Sequence, residues 1–215
     1  MRLETLILPG PAGRIECLLK HPPAGTVIAA AALICHPHPL FGGTMHNKVV
    51  HAAAEAIVAA GIPVLRFNFR GVGRSSGEHD AGRGEQDDVR SLLDSLQGRF
   101  PQRPLLMAGY SFGSWVGLKV GCADLRVAAL IGIGAPLTMV DFSFLRSCDK
   151  PLALIQGETD PFAPPALLMT LAATLPGGAR VSVIKDAAHN FAGHLEELAA
   201  RVGEAIPPVL LGSDG

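Results

Sequence analysis

Near the middle of the chain, between an apolar run and a run of small residues, the sequence reads Gly109-Tyr110-Ser111-Phe112-Gly113, a G-x-S-x-G motif. Its flanks are those of a buried strand on one side and a helix on the other, which is the setting of a nucleophile elbow. A serine on so sharp a turn sits in a strained backbone conformation, and a side chain two residues to either side would strike the adjoining strand or helix. Gly109 and Gly113 remove that collision. An ordinary strand-to-helix loop rich in small residues is the plain alternative, and the rest of the chain has to decide between them.

With 215 residues the chain is long enough to bury one substantial core, and a single domain over residues 1–215 is expected. Lys and Arg number 18 against 19 Asp and Glu, so there is no basic field of the kind nucleic acids attract, and no nucleic-acid or membrane partner is expected. The first residues hold only a short apolar run broken by Glu4, which is not a secretory signal, and residues 27–35 are too few to cross a bilayer. A soluble cytoplasmic protein is expected. Cys17, Cys35, Cys122 and Cys148 are scattered and form no C-x-x-C pair, so buried free thiols are expected rather than a disulfide or zinc framework.

Periodicity divides the chain into alternating elements. Residues 3–8 and 14–19 read as an antiparallel hairpin within residues 1–19, followed by a continuously apolar strand at 27–35 and a helix at 48–60. Further strands are predicted at 64–69, 104–110, 127–132, 151–155 and 180–184, and helices at 86–96, 112–121, 166–175 and 191–206. Pro207 and Pro208 end the last helix and leave a loose tail at 207–215. This alternation implies right-handed crossovers and a mainly parallel sheet with helices on both faces. Ligands of such sheets bind beyond the carboxyl ends of the strands, and every polar loop considered below follows a strand.

A serine hydroxyl becomes a useful nucleophile only when a neighbouring base takes its proton. His189, between the last strand and the last helix, is the candidate base, with His194 a weaker one inside that helix. Asp160, after the preceding strand, is the candidate carboxylate that orients the imidazole, with Glu158 and Asp186 as rivals. The order Ser, Asp, His differs from that of the chymotrypsin and subtilisin triads. The negative oxygen formed during attack needs N–H donors: one is the backbone N–H of Phe112, and the other comes from the loop after the third strand. Pro37 and Pro39 have no N–H, which narrows that loop to His38, Leu40 and Phe41, with His38 favoured and Leu40 second.

Two other chemistries are weaker. His36, His38, His46 and His51 lack a carboxylate or cysteine at ligand spacing, so no metal is expected. The glycines at 71, 73 and 77 are misplaced for a dinucleotide loop and read as a tight turn.

The elbow, the loop Cys35-His36-Pro37-His38-Pro39-Leu40-Phe41-Gly42-Gly43-Thr44-Met45 and the segment Phe67-Asn68-Phe69-Arg70-Gly71-Val72-Gly73-Arg74-Ser75-Ser76-Gly77 together resemble the α/β-hydrolase superfamily over nearly the whole chain. More narrowly they resemble small bacterial serine hydrolases related to dienelactone hydrolases, which themselves use a cysteine where Ser111 stands. The resemblance implies an eight-stranded sheet with an antiparallel second strand, no cofactor, and hydrolysis of a small-molecule carboxylic ester, or a thioester or small amide, through an acyl-enzyme. Caps in the superfamily follow the strand at 127–132; residues 135–150 have room only for a loop or one short helix, so a lidless site is expected. Phe142, Phe144 and Leu145 would line its wall or cover the sheet edge. An acyltransferase on the same triad, and a binding protein that keeps the fold without activity, are the alternatives.

Overall fold

The computed structural model describes residues 2–211. Its eight strands are β1 (Leu3–Gly10), β2 (Gly13–Lys20), β3 (Ala31–Cys35), β4 (Val64–Phe67), β5 (Leu105–Tyr110), β6 (Val127–Ile133), β7 (Leu152–Gly157) and β8 (Arg180–Ile184). They form one sheet in the order β1-β2-β4-β3-β5-β6-β7-β8. β2 runs antiparallel to both of its neighbours, and every pairing from β4 to β8 is parallel. This is the α/β-hydrolase arrangement. The five helices are α1 (Lys48–Ala59), α2 (Arg83–Arg99), α3 (Phe112–Ala123), α4 (Pro165–Ala173) and α5 (Leu195–Ala205).

The continuous apolar runs read from the sequence are the strands buried on both faces. In β3, Leu33 and Cys35 enter the core that also holds Val89, Leu92 and Val116 of α2 and α3, while Ala32 and Ile34 enter the core holding Val50, Ile57 and Leu198 of α1 and α5. Successive residues of a strand point to opposite faces, so one five-residue run feeds two cores. Parallel pairing aligns the carboxyl ends of β3, β5, β7 and β8 on one edge, and the loops beyond them carry the residues singled out above.

Several boundaries differ from those read in the sequence, each for a local reason. β3 begins at Ala31, where pairing with Leu105 of β5 begins, and Val27 is 75% exposed upstream of it. α2 starts three residues early because the Glu85 carboxylate accepts the N–H groups of Asp80 and Gly82 at its first turn. Phe191 and Gly193 adopt φ of +50° and +80°, which no helix tolerates, so α5 starts at Leu195 and His194 caps it from outside. The segment beyond α5 is not loose over the described residues, because Pro208–Leu210 makes a helical turn that buries Leu210 against the sheet. Residues 212–215 lie outside the described residues. Among the described residues no helix is long and apolar enough to cross a membrane. The cysteines are free thiols, with Cys17, Cys35 and Cys148 buried.

Candidate active site

At the end of β5 the chain turns directly into α3 through Ser111, whose φ of +55° and ψ of −123° lie outside the regions open to ordinary side chains. Such a residue costs on the order of 1–3 kcal/mol and persists only where its surroundings impose it. They do so here by hydrogen bonding and by contact. The Ser111 N–H donates to the Ile133 carbonyl at 2.9 Å, and the Ser111 carbonyl accepts from the N–H and hydroxyl of buried Ser114 at 2.8 and 2.6 Å. A Cβ on Gly109 would stand 2.2 Å from the Gly113 carbonyl oxygen, and one on Gly113 would stand 2.4 Å from the His36 oxygen. Both contacts are impossible, so both positions require glycine.

Two other loops reach this turn. His189 follows β8, and its carbonyl accepts a 3.0 Å hydrogen bond from the hydroxyl of Tyr110. That hydroxyl stays protonated, because burial and the nearby Asp160 raise its pKa. The imidazole then lies with Nε2 3.0 Å from Ser111 Oγ and Nδ1 2.6 Å from Asp160 Oδ2. Asp160 is 2% exposed; its Oδ2 also accepts from the Gln156 amide at 2.5 Å, and its Oδ1 accepts the Phe162 N–H at 2.9 Å. A carboxylate on Nδ1 draws the ring proton to that side and leaves the Nε2 lone pair facing the serine hydroxyl. The ring of Phe162 packs edge-on against the imidazole at 4.7 Å. An arrangement of this kind can move a proton from the hydroxyl to the imidazole while the carboxylate stabilises the charge that results.

The rivals lie elsewhere. Glu158 is exposed, and its carboxylate accepts the Asp186 N–H at 2.9 Å. His194 sits at the start of α5 rather than beside the elbow.

The loop after β3 is anchored by His36, which is fully buried. Its Nδ1–H donates to the Pro37 carbonyl at 2.6 Å and its Nε2 accepts the Phe69 N–H at 2.9 Å, so both nitrogens are used. Beyond it, the His38 carbonyl accepts the Phe41 N–H and His38 Nδ1 accepts the Leu40 N–H, at 3.1 and 3.2 Å. Of the three candidate donors, the N–H of His38 is the one with no acceptor among the described residues, and the N–H of Phe112 likewise has none.

Ser111 and His189 open onto a cavity of about 540 Å³, also lined by His38, Phe41, His79, Phe112, Trp115, Met139, Val140 and Phe162. Its mouth is open, with Phe41 81% and Met139 62% exposed. Phe142, Phe144 and Leu145 do not line this cavity: Phe142 and Leu145 are buried in the core that holds Val116, Leu118 and Val120 of α3, and Phe144 packs against it. The wall comes instead from the residues just before them, Pro136, Met139 and Val140. Trp115 was within reach of the sequence, one helical turn after Ser111 and so on the same side of α3. His79, Phe41 and Phe162 carry no local signal, since loops with no regular period bring them in.

Among the described residues no group of three or more His, Cys, Asp or Glu is placed to hold a metal ion. The glycine-rich loop after β4 is closed on itself by Gly71 N–H donating to the Ser76 carbonyl and Ser75 N–H to the Val72 carbonyl, and its Arg74 N–H donates to the Glu16 carboxylate of β2. It is a tight turn rather than a phosphate cradle.

The family described as "Alpha/beta hydrolase domain" matches residues 31–200. A structure of an α/β serine hydrolase without a lid, from Xanthomonas campestris, is 33% identical with a TM-score of 0.91, covering 100% of this chain and 98% of that one. A structure of an α/β serine hydrolase homologue from Coxiella burnetii is 34% identical with a TM-score of 0.89, covering 95% of this chain and 97% of the other. An uncharacterized protein of Rickettsia prowazekii is 41% identical over 155 residues, and the matched region is 70% of this chain but only 64% of the length of that relative.

Burial lowers the pKa of His36 from 6.5 to about 4, partly opposed by its bond to the Pro37 carbonyl. The unfolded chain takes up this proton near pH 6.5 and the native one does not, so the stabilising difference is fully present above pH 6.5 and is lost as pH falls toward about 4. The loss is on the order of 3 kcal/mol over that window. Urea unfolding at pH 7 and pH 5 should show His36→Gln less stable at neutral pH yet flatter with acid than the unsubstituted protein; equal slopes for the two would refute the assignment.

Proposed function

This chain belongs to the α/β hydrolase family, and we propose that on that scaffold it is a serine hydrolase cleaving carboxylic esters, or the related thioesters and small amides, through an acyl-enzyme on Ser111. The observation that carries the reading is the unbroken series Ser111 Oγ, His189 imidazole and Asp160 carboxylate, with contacts of 3.0 and 2.6 Å at the floor of an apolar cavity.

In this mechanism His189 Nε2 takes the hydroxyl proton as Ser111 Oγ bonds to the ester carbonyl carbon. The carbonyl oxygen becomes negative and is held by the N–H groups of Phe112 and His38, whose freedom from other acceptors supports the role. The imidazolium, steadied by Asp160, returns its proton to the departing alkoxide and the alcohol leaves. Water then attacks the acyl-enzyme with the same proton relay, releasing the acid and restoring Ser111. Gln156 and the Phe162 N–H fix the Asp160 carboxylate, and Tyr110 fixes the His189 main chain, so neither partner has to be repositioned during turnover.

The carboxylate role is tested by kcat on short nitrophenyl esters. Asp160→Asn should lower it by about 10⁴, the loss expected when the imidazole takes the wrong tautomer, and Glu158→Gln should leave it within about twofold. Turnover lost through Glu158 instead, or no ester turnover in the unsubstituted protein, would remove the proposal. The oxyanion role has its own test, because the φ of −54° at His38 is one that proline adopts without strain. His38→Pro, which deletes only the N–H beyond what His38→Ala deletes, should fall about 10²–10³ below His38→Ala in kcat. Equal rates for the two would move the donor to another residue.

A further inference from the structure

Apart from Ser111 and His189, the polar side chains lining the cavity are His38 and His79; the rest of the wall is apolar and largely aromatic. The two imidazoles lie 4.8 Å apart between ring centroids, and both pack on Phe112, the residue after the elbow serine, at 4.8 and 5.6 Å. They therefore stand beside the reacting centre, and the mechanism above uses neither side chain.

In each ring Nδ1 faces the protein. His38 Nδ1 accepts the Leu40 N–H, which places its proton on Nε2. Burial holds the His38 pKa below the usual imidazole value, so this ring is neutral at pH 7 with Nε2–H as a donor. His79 Nδ1 is buried 2.8 Å from Oε1 of Glu85, a fully buried carboxylate whose two oxygens also accept the main-chain N–H groups of Asp80 and Gly82. The contact is close but does not have the geometry of an aligned hydrogen bond. An imidazole nitrogen this close to a carboxylate oxygen carries the ring proton, which leaves Nε2 as the atom of His79 free to bond a ligand.

The pair thus turns two Nε2 atoms toward an otherwise apolar, aromatic-lined space. A hydroxyl group both donates and accepts, so it bonds the His38 donor and suits His79 Nε2 whether that atom offers a proton or a lone pair. A carboxylate would give up its water for a largely apolar wall, and an unsubstituted ring would leave both nitrogens without a partner. Phe41, Phe112, Trp115 and Phe162 supply the faces and edges that a flat ring packs against, in a volume suited to a ligand of drug size. We propose that the cavity is selective for esters carrying a hydroxylated aromatic ring, whose hydroxyl accepts from His38 Nε2–H and bonds His79 Nε2. The inference rests on the ester-hydrolase reading and adds His79 to it as the residue that sets specificity.

The test compares kcat/KM within matched esters: methyl phenylpropanoate with its para-hydroxy and para-carboxy counterparts on the acyl side, and phenylethyl acetate with its para-hydroxy counterpart on the alcohol side. The unsubstituted protein should prefer the hydroxylated member of at least one set by about tenfold. His79→Phe, which keeps a ring against Phe112, should bring that preference within about twofold. No preference for the hydroxylated member, a preference for the carboxylated one, a preference that survives in His79→Phe, or an equal loss on plain and hydroxylated esters would each overturn the proposal. Calorimetric binding of the same sets to Ser111→Ala separates this site from the chemistry. Tighter binding of the hydroxylated member there upholds it even if no ester is turned over, and equal binding with normal turnover refutes it alone.

Discussion

Ser111 is held with its backbone in a conformation that side chains avoid, and the site depends on that constraint. Strain of this size cannot be maintained by the serine itself. It is maintained by β5 and α3 meeting at Gly109 and Gly113, by the Ile133 carbonyl on the neighbouring strand, and by the carbonyls at the end of β3 pressing on Gly113. One consequence is that the hydroxyl stands clear of the sheet edge with the first N–H of α3 beside it. Another is that the β3 loop is pinned next to the elbow, which brings His38 and its unengaged N–H to the same place.

The remaining loops add polar groups whose partners are fixed in advance. Asp160 has two donors besides His189, and His36 uses one nitrogen on the Pro37 carbonyl of its own loop and the other on the Phe69 N–H after β4. Buried polar groups are affordable only when satisfied in this way, and a satisfied network moves little. The cavity above has the opposite character. Its wall is apolar, its mouth is open, and among the described residues the crossover between β6 and β7 contributes a short helical turn rather than a cap, in keeping with the lidless relative. A fixed polar network below and an open apolar wall above thus divide the site in two.

The parts of the fold legible in the sequence were those written in short-range patterns. Apolar runs named the strands, the alternation named a parallel sheet, and the G-x-S-x-G spacing marked the turn because a steric rule fixes residues only two apart. His189 and Asp160 could be found because each directly follows its own strand, and parallel strands deliver such loops to one edge. The boundary at α5 was missed because the positive φ of Phe191, a residue with no bias toward it, breaks a periodic pattern that otherwise reads as helix. His79 and Phe162 were missed for a longer-range reason. They sit in irregular loops, and their presence in the cavity depends on where those loops pack. Phe142 and Leu145 reversed the usual inference from an aromatic cluster near a site, since the short turn that carries them rolls them under α3 and leaves Met139 outside.

The central claim is that Ser111 is activated by its surroundings. Intact-mass and peptide mass spectrometry after treatment with a fluorophosphonate tests it most directly, because phosphonylation needs a serine already activated by a base. The account predicts one adduct per chain, located on Ser111 and lost in His189→Ala with the fold retained. An unlabelled Ser111 in the folded protein, or equal labelling when His189 is absent, would contradict it.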